Sequence, residues 1–153
     1  MRGVKTTVHM EQALAEAVRA GERHEVPIGA VLVDAYADKV IAADGNRVIE
    51  LHDPTAHAEM LVLRAAAKAL GSERLGACDL YVTLEPCAMC AAAISLARIR
   101  RLVYGAPDQK GGGVDHGARI FTQATAHHRP EVIAGVQETR AAELLRAFFQ
   151  ARR

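Results

Sequence analysis

The sequence predicts an α/β fold, in which helices cover both faces of a five-stranded mixed sheet in a three-layer sandwich. Two observations lead to this prediction. Near the start, two strand-like runs are separated only by "AYAD", which favours a β-hairpin, and after them helix-like and strand-like segments alternate to the end of the chain. The chain has 153 residues and shows no internal repeat, low-complexity tract or linker, so we expect one domain over residues 1–153.

The first half of the chain begins with a helix and continues into the hairpin. "MEQALAEAVRAG" has apolar residues at helical spacing and ends in glycine, which predicts a helix over 10–21. His9 precedes this helix, and we expect it to be exposed. "VPIGAVLVD" and "KVIAADG" are rich in apolar and β-branched residues and predict the two hairpin strands. A second helix is expected from about residue 55 to Leu70, where Gly71 ends it.

The second half of the chain alternates strands and helices. "CDLYVTLE" is typical of a buried strand, and "CAMCAAAISLARI" predicts a helix whose small residues permit close packing. "RRLVYGA" predicts a strand, "PDQKGGGVDHGARIF" a glycine-rich loop and "EVIAGV" a fifth strand. "TRAAELLRAFFQARR" is amphipathic and predicts a closing helix.

Composition excludes several classes of protein. The net charge is +1, so any binding of nucleic acid must come from local patches. No apolar run approaches the roughly 20 residues of a membrane span, and the first residues lack the apolar run of a secretory signal. Three cysteines, two of them in C-x-x-C, fit a reducing compartment better than a disulfide framework. We therefore expect a cytoplasmic protein that binds no membrane.

Two cysteines and one histidine have the spacing of a metal site. In "TLEPCAMC", Cys87 and Cys90 lie at a predicted helix start and share one helix face. A helix N-terminus favours the thiolate, which is the form that binds metal. With His57 they make a three-ligand zinc set whose fourth position is open for water, as in catalytic sites. Iron or cobalt could occupy the same ligands. Cys78 lies roughly 20 Å away at the other end of a strand, so we expect it to be a buried apolar residue.

Glu59 follows His57 by two residues and has a separate role. In the first turn of the helix its carboxylate can reach the open coordination position without being a ligand. Zinc lowers the pKa of a bound water, and a neighbouring carboxylate can take that proton and pass it to a leaving amine. We therefore expect Glu59 to be the catalytic residue. The plainer alternative is that His57 and Glu59 cap a helix and that the cysteines belong to the core.

These motifs together resemble a known family. H-x-E followed by P-C-x-x-C is the pattern of zinc-dependent nucleobase deaminases. The segments "EVPIGAVLV", "GNR", "HDPTAHAE", "TLEPCAMC", "ARIRRLVYGA" and "LLRAFF" more narrowly resemble the bacterial tRNA-specific adenosine deaminases, from about Glu11 to the C-terminus. The resemblance implies a cytidine-deaminase-like fold. It also implies that a homodimer with one zinc ion per subunit converts the wobble adenosine of a tRNA anticodon loop to inosine.

The resemblance implies a pocket for the flipped base. Asn46 of "GNR" would contact the base, Ile28 would pack against its ring, and the backbone around Ala58 and Pro86 would line the pocket. The alternative for Asn46 is a turn residue at the end of the hairpin, a position that asparagine often fills.

The implied RNA surface combines the segment after the second zinc motif with the last helix. Similar enzymes use both on RNA, so we expect contacts by Asp108, Lys110, Phe149 and Arg152. Basic side chains can follow the phosphates of an anticodon loop while unstacked bases enter pockets. The first segment carries a local charge of +3, from Arg98, Arg100, Arg101 and Lys110 against Asp108. The alternative is that the arginines are a solvated surface and the phenylalanines are core residues.

The loop after Asp108 departs from the commonest family pattern. Many members continue "KTGAxGS", whereas this chain has "KGGGVDHGARIF". The departure puts the RNA contacts of the loop in doubt and keeps a second hypothesis open, a deaminase of a free nucleobase or nucleoside such as guanine or cytosine. A third hypothesis, a zinc-stabilised binding module without turnover, is disfavoured by the open coordination position and by Glu59.

Overall fold

The computed structural model describes residues 2–153, with the main chain alone at positions 2, 4 and 5. Within these residues the chain forms four α-helices and five β-strands. In chain order they are α1 (Arg2–Glu22), β1 (Gly29–Asp34), β2 (Lys39–Gly45), α2 (Ala58–Leu70), β3 (Cys78–Leu84), α3 (Ala88–Ala97), β4 (Arg101–Ala106), β5 (Glu131–Ile133) and α4 (Glu138–Gln150).

The strands form one mixed sheet in the order β2-β1-β3-β4-β5. β1 is antiparallel to both β2 and β3, whereas β3, β4 and β5 run parallel. This register brings the start of β1, the end of β2 and the ends of β3 and β4 to one end of the sheet, which we call the site end. Ile28, Asn46, Glu85 and Pro107 adjoin these strand termini and therefore lie near one another.

Alternate side chains of β1 divide the interior into two cores. Ala30 and Leu32 pack in the core formed with α2 and α3, whereas Val31 and Val33 pack in the core formed with α1 and α4. Successive strand residues point to opposite faces, so a strand covered on both faces reads as a continuous apolar run. The predicted three-layer sandwich around a five-stranded mixed sheet is confirmed.

α1 is longer than the sequence predicts. It has 21 residues and begins at Arg2 rather than at residue 10. The additional turns include His9, which is only 6% exposed. Its Nε2 atom lies 2.9 Å from the Asp38 carboxylate, so the expected exposure of His9 is wrong. No helix in residues 2–153 is long and apolar enough to cross a membrane.

α2 begins later than predicted, at Ala58 instead of about residue 55. The carboxylate of Asp53 accepts hydrogen bonds from both the main-chain N–H and the hydroxyl of Thr55, at 2.9 and 2.7 Å. Such a turn competes with helix formation and keeps residues 53–55 outside α2. The C-terminus agrees with the prediction, because Gly71 adopts the left-handed conformation and ends the helix.

Candidate metal centre and substrate cavity

His57, Cys87 and Cys90 meet at the site end of the sheet. The Nδ1 atom of His57 lies 3.6 Å from the Sγ atom of Cys87 and 3.5 Å from that of Cys90, and the three ligand atoms lie within 4.8 Å of one another. Tetrahedral zinc, with Zn–S bonds of about 2.3 Å and Zn–N bonds of about 2.0 Å, needs an N···S separation of about 3.5 Å. The three residues therefore fit a zinc ion and leave a fourth position for a small molecule.

Helix N-termini carry these ligands. His57 is the N-cap of α2 and Cys87 is the N-cap of α3, and neither side chain makes a capping hydrogen bond. Both side chains are thus available to a metal. Hydrogen bonds from Cys90 and His57 outweigh burial and lower the pKa of Cys87 to about 4, so Cys87 is a thiolate. The positive end of the helix dipole favours the same state.

Glu59 is the second residue of α2 and lies beside the ligands. It is only 4% exposed and lines the same cavity as His57 and Cys87. Burial raises the pKa of Glu59, although a main-chain hydrogen bond and the neighbouring His57 oppose part of this effect. A carboxyl group whose pKa moves towards neutrality can both accept and release a proton during a reaction.

A cavity of about 650 Å³ opens next to the ligands. Ile28 and Asn46 line it from the start of one hairpin strand and the end of the other. The Oδ1 atom of Asn46 accepts a hydrogen bond of 2.8 Å from the main-chain N–H of Ala58, which fixes the orientation of the amide. The Nδ2 group of Asn46 makes no hydrogen bond within the described residues, so it is available as a donor to a ligand.

Ala58 and Pro86 stand one residue away from metal ligands in the chain. Both are buried, and neither is among the residues that line the cavity. Their main-chain groups form hydrogen bonds with residues at the cavity. Ala58 donates to Asn46, and the carbonyl oxygen of Pro86 accepts a hydrogen bond of 2.8 Å from Gly113.

The mouth of the cavity is formed by the segment after β4 and by the end of α4. Asp108, Phe148 and Arg152 line the cavity, and the guanidinium of Arg152 lies 3.3 Å from the centre of the Phe148 ring. Lys110 and Phe149 line an adjoining groove of about 530 Å³, which shares Asp108 with the cavity. Phe149 is 50% exposed and is therefore not a core residue.

Arg100 and Arg101 lie far from this mouth. They stand at the start of β4, whose length at about 3.3 Å per residue separates them from Asp108 by roughly 20 Å. Arg100 makes two hydrogen bonds to Asp79, at 2.9 and 2.6 Å, and Arg101 is paired with Glu131 at 2.9 Å. The expected basic surface along this segment is therefore wrong for these two arginines, because they neutralise carboxylates at the opposite end of the sheet.

The structure reveals a buried carboxylate that sequence reasoning missed. The side chain of Glu85 accepts main-chain hydrogen bonds from Asp108, Val114, Asp115 and His116, at 3.0 to 3.2 Å, and a further bond of 2.7 Å from the His116 ring. Burial alone would raise the pKa of Glu85, but these hydrogen bonds outweigh burial and hold it below its usual value. Glu85 is thus an ionised group that organises the segment after β4.

Glu25 has a similar role on another wall of the cavity. It is 2% exposed, and its carboxylate accepts hydrogen bonds from the main-chain N–H groups of Ile49 and Glu50. The available signal for Glu25 and Glu85 is a carboxylate adjoining an apolar strand run, in "EVPIGAVLV" and "YVTLEP". Carboxylates are rarely buried without partners, so such a position indicates a buried acceptor.

Comparison with known proteins places the chain in a family. The model of the cytidine and deoxycytidylate deaminase zinc-binding region matches residues 4–106. The chain is 62% identical over 147 residues to a tRNA-specific adenosine deaminase of Agrobacterium fabrum, covering 96% of this chain and 95% of the relative. It is 44% identical over 143 residues to a tRNA-specific adenosine deaminase of Bacillus subtilis, covering 94% and 88%.

Solved structures give the same placement. A chain from a study of A-to-I editing by tRNA:A34 deaminases superposes with a TM-score of 0.88 at 62% identity, covering 91% of this chain and 99% of that chain. A guanine deaminase of Nitrosomonas europaea superposes with a TM-score of 0.80 at 24% identity, covering 93% and 83%, and supports the fold alone. The chain therefore belongs to the zinc-binding cytidine and deoxycytidylate deaminase family, in the group that contains the bacterial tRNA-specific adenosine deaminases.

Proposed function

We propose that this protein is a zinc-dependent hydrolase that deaminates the wobble adenosine of a tRNA anticodon to inosine. The observation that carries the proposal is a buried carboxylate, Glu59, beside a three-ligand zinc site at the floor of a cavity. Near-full-length relatives that are tRNA-specific adenosine deaminases support the choice of substrate. The cavity volume of about 650 Å³ is within the range of small-ligand sites.

His57, Cys87 and Cys90 would hold the zinc ion. Bound zinc supplies a water whose pKa is lowered towards neutrality, and hence a nucleophile at physiological pH. Glu59 takes a proton from the attacking water and delivers it to the ring nitrogen next to the reacting carbon. It then moves the remaining hydroxyl proton to the exocyclic amine, the carbon–nitrogen bond breaks and ammonia leaves. The overall change is one water consumed and one ammonia released.

Asn46 and Ile28 would hold the base for this reaction. Asn46 has a free Nδ2 donor in the cavity wall and an Oδ1 atom fixed by Ala58, so it can donate to a base acceptor from a defined position. Ile28 supplies an apolar surface for the ring. Since the base must leave its stack to enter, the cost of unstacking is lowest in a single-stranded loop.

The mouth of the cavity would bind the rest of the anticodon loop. Asp108 and Arg152 line the cavity, and Lys110 and Phe149 line the adjoining groove. A half-exposed aromatic ring is suited to stacking on an unpaired base, and a lysine next to it is suited to a phosphate. This arrangement favours an RNA loop over a free base, because a free base would use only the inner cavity.

We also propose that the enzyme is a homodimer that acts in the cytoplasm, where tRNA is present. α3 carries no charged residue, and the side chains of Ala88, Met89, Ala92 and Leu96, which are exposed or partly exposed, are all apolar. Leu96 is 58% exposed. A helix that is apolar all round is normally buried, so this face suits a second copy of the chain. Leu96→Glu should convert a dimer into a monomer in light scattering; a monomeric unmodified protein would contradict the proposal.

A competition assay tests the function. The zinc-loaded protein is offered an anticodon stem-loop with a wobble adenosine together with free guanine, cytosine and adenosine, and inosine and ammonia are followed. A stem-loop with guanosine at the wobble position is the matched control. We expect inosine only in the adenosine stem-loop. Ammonia from a free base with the RNA unchanged would overturn the tRNA substrate and favour the free-base alternative.

A further inference from the structure

The segment between β4 and the 3-10 turn at Ile120–Thr122 forms part of the cavity mouth without regular secondary structure. We call residues 107–117 the glycine loop. Its main chain depends on one side chain, because the Glu85 carboxylate accepts bonds from both ends of the loop. Oε1 holds the N–H of Asp108, and Oε2 holds the N–H groups of Val114, Asp115 and His116.

The glycines let the loop close on this carboxylate and on the metal helix. A Cβ atom at Gly112 would lie 2.5 Å from Oε2 of Glu85, and one at Gly113 would lie 2.5 Å from the main-chain nitrogen of Ala88. Contacts this short do not occur, so larger residues would push the loop away. The main-chain N–H of Gly113 also donates to the carbonyl of Pro86 at 2.8 Å. The loop therefore rests directly on the start of α3.

Asp108 belongs both to the glycine loop and to the wall of the cavity. Its main-chain N–H is held by Glu85, and its carboxylate accepts hydrogen bonds from the N–H groups of Lys110 and Gly111, at 3.1 and 2.8 Å. Asp108 and Gly111 both line the cavity. A shift of the loop relative to Glu85 would thus move a wall of the substrate site while the metal ligands stayed on their helices.

The side chain of His116 makes one further hydrogen bond to Glu85. Its Nδ1–H donates to Oε1 of Glu85 at 2.7 Å, the same oxygen that holds Asp108. The side chain of Glu85 is 0% exposed, whereas that of His116 is 34% exposed. The partly exposed ring therefore covers the buried carboxylate. Through this carboxylate it connects the C-terminal end of the loop to the end that carries Asp108.

We infer that His116 is a positioning residue. It holds the glycine loop in place by its hydrogen bond to Glu85 and thereby sets the affinity of the cavity mouth for substrate. His116 is neither a metal ligand nor one of the residues that line the cavity, so it acts on the site through Glu85 and its own loop. The inference rests on the proposed function, because the affinity in question is that for the tRNA anticodon loop. It adds a residue outside the catalytic and base-binding motifs.

The test compares His116→Ala with His116→Asn in the full-length, zinc-loaded protein. The amide nitrogen of asparagine takes nearly the place of Nδ1 and can still donate to Glu85, so it is the matched conservative variant. Replacing Glu85 itself would disturb the buried core next to Cys87, and for that reason the partly exposed partner is changed. The measurements are zinc content, kcat and KM on the anticodon stem-loop, and amide hydrogen exchange across residues 107–117.

For His116→Ala we expect KM to rise about fivefold to tenfold, as when a hydrogen bond to a charged group is removed at a partly exposed site. We expect kcat and zinc content to stay unchanged, and exchange at Asp108 and Val114 to accelerate. His116→Asn should restore KM. The inference is overturned if KM does not change, if asparagine is no better than alanine, or if kcat falls together with zinc. Failure of the proposed function would appear already in the unmodified protein, which would not produce inosine.

Discussion

The floor and the mouth of the cavity are built in different ways. The floor consists of His57, Glu59, Cys87 and Cys90, which stand on the first turns of two helices and come from two short runs of sequence. The mouth consists of the glycine loop and the end of α4, and the main chain of the loop is held by the Glu85 carboxylate, 23 to 31 residues away in sequence. The floor thus takes its geometry from secondary structure, and the mouth takes its geometry from distant contacts. The residues of the metal centre are thus encoded by short sequence motifs, whereas the shape of the mouth depends on contacts between residues distant in sequence.

Removing a ligand from the floor should have the largest effect. Cys87→Ala leaves two protein ligands, too few for a catalytic zinc site, so both the metal and the turnover should be lost completely. Cys78→Ala is the matched control, since Cys78 is also a buried cysteine but lies at the other end of β3. Zinc content is measured by atomic absorption and turnover by inosine formation, in both variants. Retention of stoichiometric zinc in Cys87→Ala would show that the ligand assignment is wrong.

The next largest effect is expected for Glu59, whose replacement should reduce turnover without removing the metal. Glu59→Ala should keep the zinc ion and lower turnover by about 10²- to 10⁴-fold, the usual contribution of a general acid–base group. Single-turnover measurements on the stem-loop, with zinc content on the same samples, test this. Loss of zinc in Glu59→Ala would mean that Glu59 supports the metal, and the proton-transfer role would have to be abandoned.

These two predictions come from residues that the sequence identifies without help from the structure. H-x-E and P-C-x-x-C depend on spacings within one helical turn, and Gly71 stops a helix by its own conformational preference. The five strands are also predicted, because runs such as "GAVLV" are apolar on both faces. Such features depend on neighbours in the chain, which is why periodicity and spacing reveal them.

Other features depend on which strand ends meet. Arg100 and Arg101 are close to Lys110 in sequence, but the two ends of β4 lie about 20 Å apart. A charge sum over consecutive residues therefore mixes two surfaces. The role of Glu85 depends equally on the fold, since its partners begin at Asp108. The late start of α2 results from the turn between Asp53 and Thr55, whose residue types suit both a turn and a helix N-terminus.

Gly113 lies where the glycine loop meets the start of α3. Gly113→Ala should destabilise the protein by about 1–3 kcal/mol, because its Cβ would meet main-chain atoms of Ala88 that cannot move without displacing α3. Gly76→Ala is the control, as its Cβ would have its nearest neighbour, the Arg98 carbonyl oxygen, at 3.9 Å. Urea unfolding of both variants measures the difference. Equal stability of the two would show that the loop does not rest on the metal helix.

The smallest expected effect belongs to the outermost residue of the mouth. Lys110→Ala should weaken binding of the anticodon stem-loop without changing kcat, and it should reduce the slope of log K against log salt concentration by about 0.7 for each phosphate that the lysine neutralises. Lys39→Ala removes another exposed lysine, at the start of β2 and the opposite end of the sheet, and should leave the slope unchanged. Fluorescence titrations at several salt concentrations distinguish the two variants. An equal slope for Lys110→Ala and the unmodified protein would remove Lys110 from the RNA surface. The mouth would then bind through its remaining residues, Asp108, Phe149 and Arg152, so stacking on Phe149 would contribute more than phosphate binding by Lys110 on this side of the cavity.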